Sequence, residues 1–150
     1  MEEIELRPLV GAGPVLLGAP REEVHRALGS PQRSFRKTPT SVHATDLWFD
    51  GRLQVFYAGM EPYAEFIEFS AGGAPRPVAF GVRVLEVPAV EVVERLTERA
   101  QYDAKDPEIG YSYVFPALEL SLWRPDMEPP EGLTFQTVGI GVRGYYSGGA

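Results

Sequence analysis

The two halves of the chain repeat one pattern of residues. Four positions of the first half recur at a constant offset in the second half, namely Pro20, Glu23, Val24 and Leu28 against Pro88, Glu91, Val92 and Leu96. An aromatic, alternating stretch follows each copy, at 47–57 and at 113–123, and a shorter apolar segment then closes each half. The repeat predicts a duplicated unit, with one module at 1–75 and a second at 76–150 packed into one compact body.

Each copy of the pattern begins with the signals of a helix. Pro20 suits the first helical position, because its missing N–H would be unpaired there in any case. Glu22 and Glu23 lie in the first turn, where the helix dipole favours negative charge. Gly29 then ends the pattern. We predict a helix of about nine residues here and a longer one at 88–100.

Alternating apolar residues after each helix predict antiparallel hairpins. Asp50-Gly51 between two aromatic runs is a strong hairpin signal, and Pro116-Ala117 marks the matching turn. The strands after these turns align through Leu53 and Val55 with Leu118 and Leu120. The predicted fold class is therefore α+β. Two helix-plus-antiparallel-sheet modules would place two helices on one face of a sheet of about six to eight strands.

With both helices on one face, the other face of the sheet is expected to meet solvent. Residues that alternate with the inward-facing leucines along the strands would lie there. Five of them are aromatic: Trp48, Phe56, Phe66, Tyr113 and Trp123. Aromatic side chains on an open sheet are typical of protein-binding surfaces, because they bury much area with few rotatable bonds. The alternative is that these rings cover a second small core, since alternation does not tell whether a face is open.

Composition narrows the class of partner. The formal net charge of −7, from 14 basic and 21 acidic residues, argues against nucleic acid, whose phosphates need a concentrated basic surface. It suits a basic protein partner, or simply solubility. The absence of cysteine excludes disulfides and Cys-bound zinc, and we predict neither a metal nor a cofactor. An acidic start and no apolar run near the roughly 20 residues that span a bilayer predict a cytoplasmic location without membrane contact.

No group of residues predicts a reaction. His25 lies among charges on the first helix and is expected to be solvated. His43, with Asp46 nearby, could orient a general base, but no serine in a nucleophile context accompanies it. We therefore predict no catalytic residue.

Two further segments are candidates for contacts. Arg33, Arg36 and Lys37 form a basic cluster that would hold an anion or an acidic partner, or would pair with neighbouring carboxylates. The last residues, 143–150, are expected to be either mobile or docked through Tyr145 and Tyr146.

A resemblance to a known family begins at residue 15, where the chain contains VLLGAPREEVHRALGSPQ. This phrase resembles the opening helix of small α+β modules that include the BamE-type outer-membrane assembly lipoproteins and the tandem-repeat beta-lactamase inhibitory proteins. The matching residues are Leu17, Gly18, Glu23, Val24, Leu28, Gly29 and Pro31, with Trp48 at the strand position; the second half matches through Val92 and Leu96. The resemblance implies two helix-plus-sheet modules whose concave sheet face binds another protein. Without cysteine, it implies neither membrane assembly nor beta-lactamase inhibition.

Two classes of function follow from these observations. A non-enzymatic protein-binding module, of the inhibitor or immunity kind, would use the aromatic sheet face to bind another protein or a second copy of the chain. A small-molecule-binding protein or an enzyme would need polar groups that converge in a pocket between the modules, lined by Arg36, His43, Trp48 and Tyr113. We predict the first.

Overall fold

The chain folds into two β-sheets and two short helices that share one core. The structure, a computed structural model, describes residues 1–147. Strands contain 35% of the chain and helices 16%. The predicted α+β class, with two helices packed on one face of a single sheet, is therefore wrong, because the protein is mostly β. The second sheet escaped prediction since three of its five strands are two residues long, too short to show alternation.

The small sheet joins the start of the chain to its middle. Its strands are β1 (Glu3–Arg7), β2 (Gly11–Ala12), β3 (Val15–Leu16), β8 (Arg76–Ala79) and β9 (Val82–Arg83). They lie in the order β3-β2-β1-β8-β9, and β1 runs parallel to β8, with Glu3 opposite Arg76. Successive side chains of β1 point to opposite faces, so Ile4 and Leu6 enter the core while Glu3 and Glu5 meet solvent.

The large sheet is antiparallel throughout. Its strands are β4 (Arg33–Phe35), β5 (Thr45–Trp48), β6 (Leu53–Ala58), β7 (Tyr63–Ser70), β10 (Ser112–Phe115), β11 (Leu120–Trp123) and β12 (Thr137–Gly141). They lie in the order β10-β11-β12-β7-β6-β5-β4. The last strand of the second half thus pairs with the last strand of the first half, with Ile140 opposite Ile67.

Both predicted helices are present, as α1 (Arg21–Leu28) and α2 (Ala89–Thr97), the second shorter than predicted. Each follows a proline, Pro20 or Pro88. Gly29 ends α1 with a φ of 83°, in the left-handed region that glycine adopts at little cost. Helices this short depend on docking for stability. They bury four side chains in the core: Val24, Ala89, Val92 and Leu96. Within residues 1–147 no helix is long and apolar enough to cross a membrane.

The order strand, 3₁₀ turn, strand, strand follows each helix, with the additional edge strand β4 directly after α1. The two 3₁₀ turns are Phe49–Gly51 and Pro116–Leu118. Leu53 begins the strand after the first turn and Leu120 begins the strand after the second. The predicted alignment of Leu53 with Leu118 is therefore wrong, because Leu118 still belongs to the turn.

The residue before each of these strands has the same role in both halves. The backbone oxygen of Arg52 accepts a hydrogen bond from Ser70 N at 2.9 Å, and that of Glu119 accepts one from Gly141 N at 2.8 Å. The Arg52 side chain also donates to the oxygen of Ala74, in the segment that follows β7. In each half, the residue at this position thus holds the end of the last strand of the large sheet that the half contributes.

The two faces of the large sheet differ in what covers them. The inner face packs against both helices and the small sheet, and its side chains include Leu53, Val55, Ile67, Leu120, Leu122, Val138 and Ile140. The side chains between them point to the outer face. Function was predicted for that outer face.

Candidate functional site

The outer face carries three of the five aromatic residues predicted there. Phe56 and Phe66 lie opposite each other on β6 and β7, with ring centroids 5.8 Å apart. Trp123 lies on β11, with β12 and β7 between it and Phe56, and it is 40% exposed. These three rings therefore do not form one continuous patch.

Trp48 and Tyr113 lie on the inner face, so their predicted place on the open face is wrong. Directly paired residues share a face, and Trp48 is paired with Leu53 while Tyr113 is paired with Leu122. Trp48 is only 4% exposed, and its indole N–H donates to the oxygen of Gly29 at 3.1 Å. The error arose because the register between strands, which alternation within one strand does not give, decides which face a residue takes.

Fluorescence quenching should separate the two tryptophans. A Trp123→Phe chain, which retains only Trp48, is expected to resist acrylamide, whereas a Trp48→Phe chain should be quenched several-fold more strongly. Trp48→Phe should also lower the free energy of unfolding by about 1–2 kcal/mol, through the lost hydrogen bond and the smaller ring. Similar quenching of both variants would contradict the two placements.

The centre of the outer face is covered by residues 143–147, here called the C-terminal segment. The Tyr145 ring stacks on Phe66, with centroids 4.6 Å apart and an interplanar angle of 16°, and Tyr146 meets Phe66 edge-on at 6.0 Å. Of the two alternatives expected for the tail, the structure has docking through these two tyrosines, while residues 148–150 lie outside the described residues. Gly139 leaves room for the Phe66 ring, since a Cβ there would overlap that ring.

A buried carboxylate holds the C-terminal segment in place. Glu119, 2% exposed, accepts hydrogen bonds from Tyr146 N at 2.8 Å, Ser147 N at 3.2 Å and Ser147 Oγ at 2.9 Å, and also from Gly144 N. Burial would raise the pKa of Glu119, but these hydrogen bonds outweigh it and hold that pKa below its usual range. The carboxylate is therefore charged at neutral pH and needs the donors that the segment supplies.

An open groove remains at one end of the outer face, beside the β6–β7 turn. Its volume is about 650 Å³. The lining that matters for binding is Lys37, Val42, Phe56, Met60, Glu65 and Tyr145. Val42 is 77% exposed and Met60 is fully exposed, on two different loops. The groove therefore combines apolar side chains with one cation and one carboxylate.

The basic cluster is divided by β4: Lys37 follows the strand and lines this groove, whereas Arg33 begins the strand and lies with Leu47 and Asp50 in another pocket. Among the described residues, none of Arg33, Arg36 and Lys37 has a carboxylate within 4.0 Å. Arg36 donates to the oxygen of Val42 at 3.0 Å, and the Lys37 ammonium lies 4.6 Å from the centre of the Phe56 ring. The expected alternative, that these charges pair with neighbouring carboxylates, is not what the structure has.

A polar cluster around Asp46 was missed by the sequence analysis. Asp46 is fully buried on β5, and its Oδ1 accepts from Arg21 Nη2 at 2.8 Å and from Ser34 Oγ at 2.6 Å. Its Oδ2 accepts from Arg21 Nε at 2.9 Å and from Tyr57 OH at 2.9 Å, and lies 2.6 Å from His25 Nε2. His25 is thus a partner of Asp46, and the prediction that it is simply solvated is wrong.

The Asp46 cluster fastens α1 to three strands of the large sheet. Burial would raise the pKa of Asp46, but the hydrogen bonds, that from Arg21 foremost, hold it well below its usual range. Burial and the Asp46 carboxylate raise the pKa of Tyr57, which therefore stays a donor. The sequence contained one signal of this cluster. Arg21 and His25 are four residues apart on the predicted helix, so their side chains lie on the same face and can reach one partner.

The pocket predicted between the modules is not formed by its four residues. Trp48 is buried on β5, and Tyr113 lies on β10 at the opposite end of the large sheet. His43 Nε2 lies 2.6 Å from the oxygen of Gly59, which fastens one loop beside the groove. Within residues 1–147 no three His, Cys, Asp or Glu residues lie together as a metal would require.

Comparison of the chain with models of protein families, with curated proteins and with solved structures gives no match.

Proposed function

We propose that this chain is a non-enzymatic protein-binding module that uses the groove at the end of its outer sheet face. The observation that carries the proposal is the exposure of Val42 and Met60 beside one cavity with aromatic walls. Burying such side chains against a partner removes apolar surface from water, the main favourable term in protein association.

The groove has the layout of an interface with an apolar centre and a charged rim. Phe56 and Tyr145 supply rings with few rotatable bonds, and Lys37 and Glu65 stand at the border. Arg36, whose guanidinium donates to the oxygen of Val42, adds a second cation beside this border. We expect the partner to be a protein that inserts an apolar side chain into the groove and places a carboxylate beside Lys37 or Arg36.

The Asp46 cluster has a structural role, because it holds α1 against the large sheet. Its donors are all engaged by a single carboxylate whose two oxygens accept five contacts, so Asp46 has no free lone pair with which to accept a proton. A module that covers part of a partner's surface with its groove would act as an inhibitor or immunity protein does. The net charge of −7 would speed its approach to a partner that is basic overall.

The proposal is tested with three baits in a lysate of the source organism. They are the wild type, the double variant Val42→Asp/Met60→Asp, and Val90→Asp as a matched control on the distant helix α2, where the valine is also exposed. We expect one stoichiometric protein partner on the wild type and the control, with affinity at least about tenfold weaker for the double variant, equivalent to about 1.4 kcal/mol. The purified pair is then measured by calorimetry.

Two outcomes would contradict the proposal. One is a partner that binds the groove variant as tightly as the control. The other is a homodimer, detected by native mass, that the double variant dissociates, because the groove would then serve self-association.

A further inference from the structure

The C-terminal segment occupies its place on the sheet through contacts that another peptide could make. We propose that the recess around Glu119 and Phe66 is a peptide-binding site, filled here by the chain's own residues 143–147, and that a segment of the protein partner displaces them. The ligand class is a short peptide with consecutive aromatic residues followed by serine. This inference rests on the proposed function, since it assigns the same partner a second point of contact.

The carboxylate of Glu119 recognises backbone rather than a particular side chain. Three of its four contacts are backbone N–H groups, of Gly144, Tyr146 and Ser147. No cation among residues 1–147 lies within 4.0 Å of Glu119. A buried carboxylate without a cation requires hydrogen-bond donors, and any peptide of suitable shape brings them.

The surface beside Glu119 selects for aromatic residues. Phe66 offers one ring face to Tyr145, and Ser121 Oγ lies 2.5 Å from Tyr146 OH. Gly139 and Gly141 leave the backbone of β12 bare, so that rings can lie directly on it; a Cβ at Gly141 would lie 2.7 Å from the Cβ of Tyr145. Two neighbouring aromatic side chains therefore find one ring to stack on and a glycine backbone to lie against.

The recess is continuous with the groove. Tyr145 is at once a ring stacked on Phe66 and a wall of the groove. A partner that enters the groove therefore touches the segment that it would displace. Once the contacts with Glu119 and Phe66 are exchanged for those of the partner, the segment can leave by a change in the turn closed by the hydrogen bond from Tyr145 N to Val142 O, at Gly144 with its φ of 92°. Because the attached segment acts at an effective concentration in the millimolar range, the intact chain should bind a free peptide weakly.

The test uses the full chain and a capped synthetic peptide with the sequence of residues 143–147. In the variant Tyr145→Ala/Tyr146→Ala the segment loses its rings, and we expect the peptide to bind it at least about tenfold more tightly than it binds the wild type. Addition of Glu119→Gln should abolish that gain. Titrations followed by two-dimensional NMR would also locate the peptide at Phe66. A folded double variant that binds no more tightly than the wild type would overturn the proposal, as would binding that survives Glu119→Gln.

If the variant Tyr145→Ala/Tyr146→Ala does not fold, amide hydrogen exchange in the wild-type chain tests whether the C-terminal segment can leave the sheet. The amides of Gly144, Tyr146 and Ser147 should exchange at least about tenfold faster than those of Val138 and Ile140, because the segment opens without the sheet. Equal protection would mean that the segment leaves only on global unfolding, which excludes displacement. The variant Val42→Asp/Met60→Asp leaves the Glu119 recess intact, so peptide binding and groove binding can fail separately.

Discussion

Replacing Asp46 with alanine is expected to lower the free energy of unfolding by about 3 kcal/mol. The substitution would leave the buried hydroxyl of Tyr57 without its acceptor and would free the Arg21 guanidinium from its ion pair. It would also release α1 from β4, β5 and β6. We place the cost at the lower end for a broken buried pair, because Arg21 and His25 are partly exposed and regain water.

Urea denaturation of matched asparagine variants measures this effect with least disturbance. Asp46→Asn keeps the shape of the side chain and removes its charge, and Asp50→Asn makes the same change at an exposed position. The first should be clearly destabilised and the second nearly unchanged. If the two variants unfold at the same urea concentration, the Asp46 cluster does not fasten α1.

The Asp46 contribution should also depend on pH with a definite sign. Its pKa is held below the unfolded value of about 3.9, so the stabilisation is complete above about pH 5. As the pH falls below about 4, the unfolded state binds a proton first and the stabilisation is lost. The difference in stability between wild type and Asp46→Asn should therefore shrink between pH 6 and about pH 2.5. Glu119 shifts in the same direction but is common to both chains, so it cancels in this difference.

Gly139→Ala is expected to lower the free energy of unfolding by about 2 kcal/mol. The new Cβ would overlap the Phe66 ring, a rigid side chain held between Phe56 and Tyr145. The ring would have to leave its place, and the stack with Tyr145 would be lost with it.

A double-mutant cycle isolates the clash from any change in strand propensity. In a Phe66→Leu background the shorter side chain no longer reaches Gly139, so Gly139→Ala should cost much less there, a difference of about 1 kcal/mol or more. Thermal and urea unfolding of the four chains give this coupling energy. Additive effects would show that the ring does not lie over Gly139.

Local signals predicted the helices and the central strands well. Proline, first-turn glutamates and a closing glycine define α1, and Asp50-Gly51 marks the β5–β6 hairpin. The small sheet could not be found in this way. Its strands are short, and β1 pairs with β8, which lies past the middle of the sequence. Nothing in a window of ten or twenty residues reports such a pairing.

In the candidate site, too, the features that depend on one strand were predicted and those that depend on contacts between elements were not. Alternation within β6 and β11 placed Phe56 and Trp123 on the outer face, but the faces of Trp48 and Tyr113 depended on pairing between strands. The Asp46 cluster draws its members from α1, β4, β5 and β6, so only the fold brings them together. Tyr145 was predicted as a docking residue of the tail, but the sequence did not predict that it would stack on Phe66.

The parallel pairing of β1 with β8 has a consequence for synthesis of the protein. A ribosome releases β1 long before β8 exists, and β7 likewise waits for β12. Until then the first half presents unpaired edges in both sheets, and such edges invite contact between nascent chains. Closure must also bring together strands far apart in sequence, which slows folding. We therefore expect the first half to be the part of the chain most exposed to aggregation while it is being made.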